Sequence, residues 1–251
     1  MYTIYWGCTI KIMYPSVEKA AKTVLRKLGI DFKEASDITC CPVPEVFYIK
    51  YPDLWRKIVD KNLETLLAKK NPVLVICNGC WESLRLGSGE DPLIKHSVEV
   101  LYKYRGRIKS MIQRDLSGIR VGLQPGCRLY VRDELIDMMR DLVEILGVEV
   151  VEYGFERVCC GEPIRFYNEE YALKNRAFLK VKHALDKNID ALITFCPGCM
   201  IMLESASSFM GIKLPTLNYF ELLAMALGES PESIGLENHY ASVESILSKI
   251  G

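Results

Sequence analysis

Ten cysteines in a chain of 251 residues form two copies of one pattern. The first copy is Cys8, Cys40, Cys41, Cys77 and Cys80, and the second is Cys127, Cys159, Cys160, Cys196 and Cys199. Every cysteine of the first copy recurs at an offset of 119, and none is left over. Cysteines kept only as small core residues would not hold such a register. Thiols at fixed spacing point to metal binding or redox chemistry, because a reducing compartment does not favour structural disulfides.

Zinc is the first metal to consider for the pairs Cys77–Cys80 and Cys196–Cys199, since a structural zinc takes four ligands from such spacings. Each copy carries five thiols, however, and two of them are adjacent. Neighbouring side chains in extended backbone point apart, so an adjacent pair chelates one small ion poorly. It suits a cluster of several metal atoms. Iron–sulfur chemistry is the preferred reading, and a structural metal site without redox function stays as the alternative.

The elements that must position these thiols repeat at the same offset. Gly7 recurs as Gly126, Pro44 as Pro163, Phe47-Tyr48 as Phe166-Tyr167, and Gly79 as Gly198. The chain therefore reads as a tandem duplication, with an N-terminal domain over 1–117 and a C-terminal domain over 118–251. The polar stretch 106–118 reads as the connection. In each half apolar runs alternate with helical patterns. "YTIYW", a weak "ASDIT", "PVLVI", "IRVGL", "VEVVEYG" and "DALITF" read as strands. Ser16 is the expected cap of the first long helix, and Asn218 caps a late one. The helix over 54–66 is expected to bury Leu54, Ile58, Leu63 and Leu66. This order predicts an α/β fold with mainly parallel sheets and a short C-terminal helical tail. Ligands of such sheets bind beyond the carboxyl ends of the strands, where these cysteines fall. The four repeated glycines are expected to let the backbone pass close to the bound group.

Composition narrows the function. The chain has 32 basic and 32 acidic residues and 49% hydrophobic residues, enough for a core. No basic stripe invites nucleic acid. With no leader peptide and no membrane span in its pattern, the expectation is a cytoplasmic protein. No G-x-G-x-x-G follows a strand, so electrons are expected to come from or go to a partner protein.

The doubled pattern, C-x31-CC-x35-C-x-x-C, resembles the cysteine-rich CCG domain of the heterodisulfide reductase B subunit and its relatives, including those of sulfur oxidisers. The resemblance covers residues 1 to about 228. It implies two Rossmann-like CCG domains related by a pseudo-twofold axis. It also implies two non-cubane [4Fe–4S] clusters, one on Cys8, Cys40, Cys41, Cys77 and Cys80, the other on Cys127, Cys159, Cys160, Cys196 and Cys199. The implied activity is reduction or formation of a disulfide between the clusters. Electrons would pass through the family's iron–sulfur C subunit and flavin-bearing A subunit, and a lipoate-carrier protein is one candidate thiol partner.

Three features depart from the family: Pro42 stands where glycine is expected after Cys40-Cys41, the chain is short, and Gln124 and Arg128 flank Cys127 where histidines are common. They favour a relative outside methanogenesis. The alternative function is an electron-relay or anchoring component of a succinate dehydrogenase or lactate-utilisation complex.

Few other residues invite chemistry. Glu162 and Arg165 follow the second Cys-Cys and could serve as proton donor and anion clamp, or simply pair with each other. Tyr48 and Tyr167 are expected to pack at the cluster pockets or across the interface. His96 and His183 are expected in helices and His239 near the tail, none as a ligand. Met138 and Met139 read as core.

Overall fold

A computed structural model describes residues 1–250. It contains eight strands: β1 (Tyr2–Tyr5), β2 (Phe32–Glu34), β3 (Val73–Val75), β4 (Ile94–His96), β5 (Arg120–Gln124), β6 (Glu149–Val150), β7 (Ala191–Thr194) and β8 (Thr216–Asn218). They form two four-stranded sheets of identical topology, β2-β1-β3-β4 and β6-β5-β7-β8, with every pairing parallel. The fold is α/β, two copies of one unit, as the spacing predicted. Parallel strands need crossovers, and helices supply them, covering both faces. The central strands β3 and β7 are accordingly buried along their whole length: Val73, Leu74 and Val75 in one, and Ala191, Leu192, Ile193 and Thr194 in the other.

Edge strands are shorter than the sequence suggests. "ASDIT" is not a strand; the second strand lies earlier, at Phe32–Glu34, and residues 35–43 form an irregular loop. Asp37, at φ +58°, takes a left-handed conformation there, and Thr39 is tied to the Asn62 side chain instead of a neighbouring strand. Likewise β6 keeps only two of the seven residues of "VEVVEYG".

The helix Pro15–Lys27 has proline in its first turn, where a missing N–H is harmless, and buries Val17, Ala20, Ala21, Val24 and Leu25. Each such side chain removed from water contributes roughly 1.5–3 kcal/mol for Val or Leu. Ser16 is not its cap: Tyr14 precedes the helix, and the Ser16 hydroxyl is buried inside it. The helix ends at Gly29 with φ +62°. In the helix Pro52–Leu67 the apolar face is turned from its expected phase. Trp55, Val59, Leu63 and Leu66 are buried, whereas Leu54 is exposed, because Trp55 offers more apolar surface. Asn218 does cap the helix Tyr219–Ala226, in a capping box with Glu221. His96 is not within a helix: it ends β4, and its ring caps the helix Ser97–Lys103.

The halves interlock reciprocally. The helix after β4, Ser97–Lys103, packs on Asp133–Glu144 of the second half. The helix after β8, Tyr219–Ala226, packs on Pro15–Lys27 of the first. One core therefore runs through both halves, from Ile4 to Ile250, with a smaller one around Tyr153, Val181 and Met202. The connection 106–118 is not all loop, since Arg105–Met111 is helical. After it, the Gln113 and Arg114 N–H groups donate to the Ala226 carbonyl. Helical segments Pro231–Ile234 and Glu244–Ile250 form the tail.

Candidate metal centre

Each central strand delivers a thiol at its carboxyl end. β1 leads to Gly7-Cys8, β3 to Cys77, β5 to Gly126-Cys127 and β7 to Cys196. The loops after the short edge strands carry Cys40-Cys41 and Cys159-Cys160. Cys77 and Cys196 each stand immediately before a helix, so Cys80 and Cys199 follow one turn later.

Gly7 (φ +79°) and Gly126 (φ +92°) have the positive φ that only glycine adopts without strain. A β-carbon at Gly7 would lie 2.7 Å from the Cys80 sulfur, and one at Gly126 would lie 2.5 Å from Asn78 Nδ2. Gly79 and Gly198 differ from the expectation. They sit inside helices, and a β-carbon at Gly79 would make ordinary contact only.

The two thiol sets converge on one cleft between the halves, lined by nine of the ten cysteines, all but Cys159. Cys8 and Cys40 sulfurs are 3.4 Å apart, and those of Cys41 and Cys80 are 2.9 Å apart. All ten cysteines are free. The sets meet at Cys77 and Cys196, where Cys196 is the strongest influence on the Cys77 thiol. Neighbouring thiols compete for protons. Hydrogen bonds from Cys40 and Cys80 pull Cys41 down to about 5, while contact with Cys40 pushes Cys8 up. Cys127 and Cys160 likewise hold Cys159 down at about 2 while Cys127 is pushed up. Thiols this crowded cannot all ionise unless cations share the space.

The donor set therefore fits a soft, thiophilic metal group. In each set the thiols reach the cleft from three separate chain segments, a spread that suits an extended group. An iron–sulfur cluster spreads its thiolate ligands over several irons.

Around the thiols, Arg128 spans the halves. Its guanidinium pairs with Glu45 and Glu82 of the first half, with only 10% of its side chain exposed. Asn78 donates to the Pro125 carbonyl at 2.7 Å, and its amide oxygen accepts from the His96 Nε2–H, 2.9 Å away. Burial holds His96 neutral, its pKa down at about 3. Glu162 lines the cleft, and burial, aided by Cys196, raises its carboxyl to about 7. Arg165 lies behind it, 3.9 Å from the Glu162 carboxylate, and does not line the cleft.

Tyr167 crosses the interface, donating to the Glu45 carbonyl at 3.1 Å. Tyr48 packs against Trp55 and is half exposed. Met139 is core, Met138 borders it, and His183 stacks on Phe155. Sequence reasoning missed Asn78, Glu45, Glu82 and Lys180, whose roles depend on partners far away in the chain. Only Asn78, inside the first C-x-x-C, carried a positional signal.

The cysteine-rich domain family, CCG, matches twice, over residues 2–85 and 121–204. The chain belongs to the CCG family. Among curated members, it is 28% identical to the B subunit of the ferredoxin/F(420)H(2)-dependent CoB-CoM heterodisulfide reductase of Methanosarcina acetivorans, over 99% of this chain and 96% of that protein. It is also 28% identical to the B subunit of the ferredoxin:CoB-CoM heterodisulfide reductase of Methanosarcina mazei, with the same coverage. The B subunit of the fumarate reductase (CoM/CoB) of Methanothermobacter marburgensis is 23% identical over 90% of this chain, which spans 46% of that longer protein. A crystal structure of a hypothetical protein from Helicobacter pylori shares the fold, with TM-score 0.69 at 14% identity. It aligns with 96% of this chain and 52% of its own. The three curated relatives named above are subunits of reductases. Among the described residues no helix is long and apolar enough to cross a membrane.

Proposed function

We propose that this CCG protein is the disulfide-handling component of a heterodisulfide reductase-like complex, with an iron–sulfur cluster on each thiol set and the substrate bound between them. The observation that carries the reading is the single cleft shared by both sets. Clusters bound there would supply one-electron chemistry. Cleaving one disulfide to two thiols consumes two electrons and two protons, and two facing sites match that demand.

The chain's own residues supply the rest. Gly7 leaves room for the Cys80 sulfur, and Gly126 for the Asn78 amide that bridges the halves. Arg128, Asn78 and Tyr167 fix the spacing between halves. Glu162 is the carboxyl lining the cleft, and so the side chain positioned to give a proton to a departing sulfur. With no nucleotide fingerprint in the sequence, electrons come through partner iron–sulfur and flavin proteins. Pro42, standing where glycine is expected, favours a thiol substrate outside methanogenesis, such as a lipoyl dithiol.

Electron relay is the second reading, supported by the likeness to a fumarate reductase component. Reduced protein mixed anaerobically with a small disulfide separates the two. Disulfide handling predicts thiol release, abolished in both Cys41→Ala and Cys160→Ala. Electron transfer without thiol release would favour the relay, and full thiol release in both variants would remove both thiol sets from the reaction.

A further inference from the structure

The two halves differ in what lies behind their thiols. Behind the first set the polar groups are neutral. Tyr5 donates to the Thr39 carbonyl at 2.6 Å, and Asn62, fully buried, binds the backbone of Thr39 and Cys40. Gln124 occupies the position of Tyr5 at the 119-residue offset. Its amide nitrogen approaches the Cys199 sulfur at 3.9 Å and the Tyr130 hydroxyl at 3.4 Å. Its oxygen accepts from Tyr153 at 3.0 Å and from the ammonium of Lys180 at 2.6 Å.

Lys180 is fully buried. It also donates to the Phe155 carbonyl, so both of its bonded partners are neutral oxygens. Glu156 acts on it from nearby, but one of that carboxylate's oxygens accepts from the Tyr153 and Gly154 N–H groups. A buried charge needs compensation. Gln124 places this ammonium one side chain away from the Cys199 sulfur, so a negatively charged group held by the second thiol set is the compensation within its reach. Burial lowers its pKa only to about 8, which keeps the ammonium charged at neutral pH.

The backbone explains why this lysine turns inward. Its counterpart at the repeat offset, Lys61, is exposed on the uninterrupted helix Pro52–Leu67. In the second half the corresponding helix is broken by a π-turn at Leu173–Ala177, just before Phe178–Asp186. One extra residue rotates the following face by roughly 100° at 3.6 residues per turn. Lys180 is buried after this turn, whereas Val181 matches Asn62, which is buried in the first half as well.

We propose that Lys180 makes the second-half site the electron-accepting one, so that a cluster on Cys127, Cys159, Cys160, Cys196 and Cys199 is reduced before its twin. This rests on the iron–sulfur reading above. Each electron added makes a cluster one charge more negative, and a buried cation stabilises that state more than neutral Tyr5 and Asn62 can. Lys180 acts through the field it sets and through Gln124, as a positioning residue.

The test is an EPR-monitored redox titration of anaerobically purified, full-length protein after its iron content has been measured. Wild type should show two separate one-electron steps. Lys180→Met should lower the reduced-to-oxidised ratio of the higher step at least tenfold at fixed potential, a shift of about 59 mV for a one-electron couple. Lys180→Arg should restore it, and Lys61→Met should leave both steps in place.

Should Lys180→Met fail to fold, Cys41→Ala and Cys160→Ala proteins with Lys180 intact decide the matter. The cluster kept by Cys41→Ala, in the second half, should titrate higher. Equal potentials, the reverse order, or an unshifted step in iron-replete Lys180→Met would overturn the proposal. A wild-type protein without iron would instead overturn the cluster reading beneath it.

Discussion

Asn78 reaches from the first half into the second, its amide donating to the Pro125 carbonyl at 2.7 Å. It stands directly after Cys77, and Pro125 stands two residues before Cys127, so this bond sets the separation of the two thiol sets at their base. Its oxygen faces the buried His96 ring. Asn78→Ala would strip a buried carbonyl and a buried imidazole of partners, a cost of about 1–3 kcal/mol. A urea unfolding midpoint compared with wild type checks this.

The glycines give a sharper contrast. Gly126→Ala would force a left-handed conformation and a clash with Asn78, and Gly7→Ala would press on the Cys80 sulfur. Each should lose about half of the bound iron. Gly79→Ala, at a helical position with room for a methyl group, should keep iron and stability unchanged. Iron per chain in the three purified variants is the measurement.

Arg128 between Glu45 and Glu82 is the charged counterpart of the Asn78 bridge. Arg128→Met would leave the two carboxylates without their cation. The two glutamate side chains remain 34% and 29% exposed, so water softens the penalty. The expected loss is about 2 kcal/mol, below the 3–5 of a fully buried pair. Thermal unfolding of the variant at low and high salt tests it.

A pH prediction comes from the tail. His239 lies buried between Glu204 and Glu221, at 2.5 Å and 2.9 Å, and Tyr14 of the first half donates to Glu204 at 2.9 Å. Burial alone would lower the His239 pKa, but the glutamate charges and hydrogen bonds outweigh it and hold it at about 10, above its ordinary 6.5. The folded state thus binds this proton more tightly than the unfolded chain. Its stabilisation is complete below pH about 6.5 and is lost as pH rises through about 10. His239→Ala should cost about 3–5 kcal/mol at pH 6. Denaturant unfolding across pH 6 to 10 should show wild type converging on the variant.

Much of this was legible in the sequence because the cysteine register is exact over ten positions, and a parallel α/β order follows from alternating apolar runs. Cap and edge details were less so. Ser16 looked like a cap, but Pro15 starts the helix one residue earlier and draws Ser16 inside. "ASDIT" alternates like a strand, yet Asn62 binds its backbone from a helix more than twenty residues away. Lys180 and Lys61 look equivalent in sequence. Only the π-turn, which no residue pattern announced, separates a buried cation from an exposed one.

Iron and acid-labile sulfide in anaerobically purified protein test the central claim most directly. Two thiol sets sharing one cleft predict about eight irons and about eight sulfides per chain, by two [4Fe–4S] groups. About half that content, lost further on Cys160→Ala but not on Cys41→Ala, would mean that only the second set is filled. A colourless protein carrying one or two zinc ions and no sulfide would contradict the account.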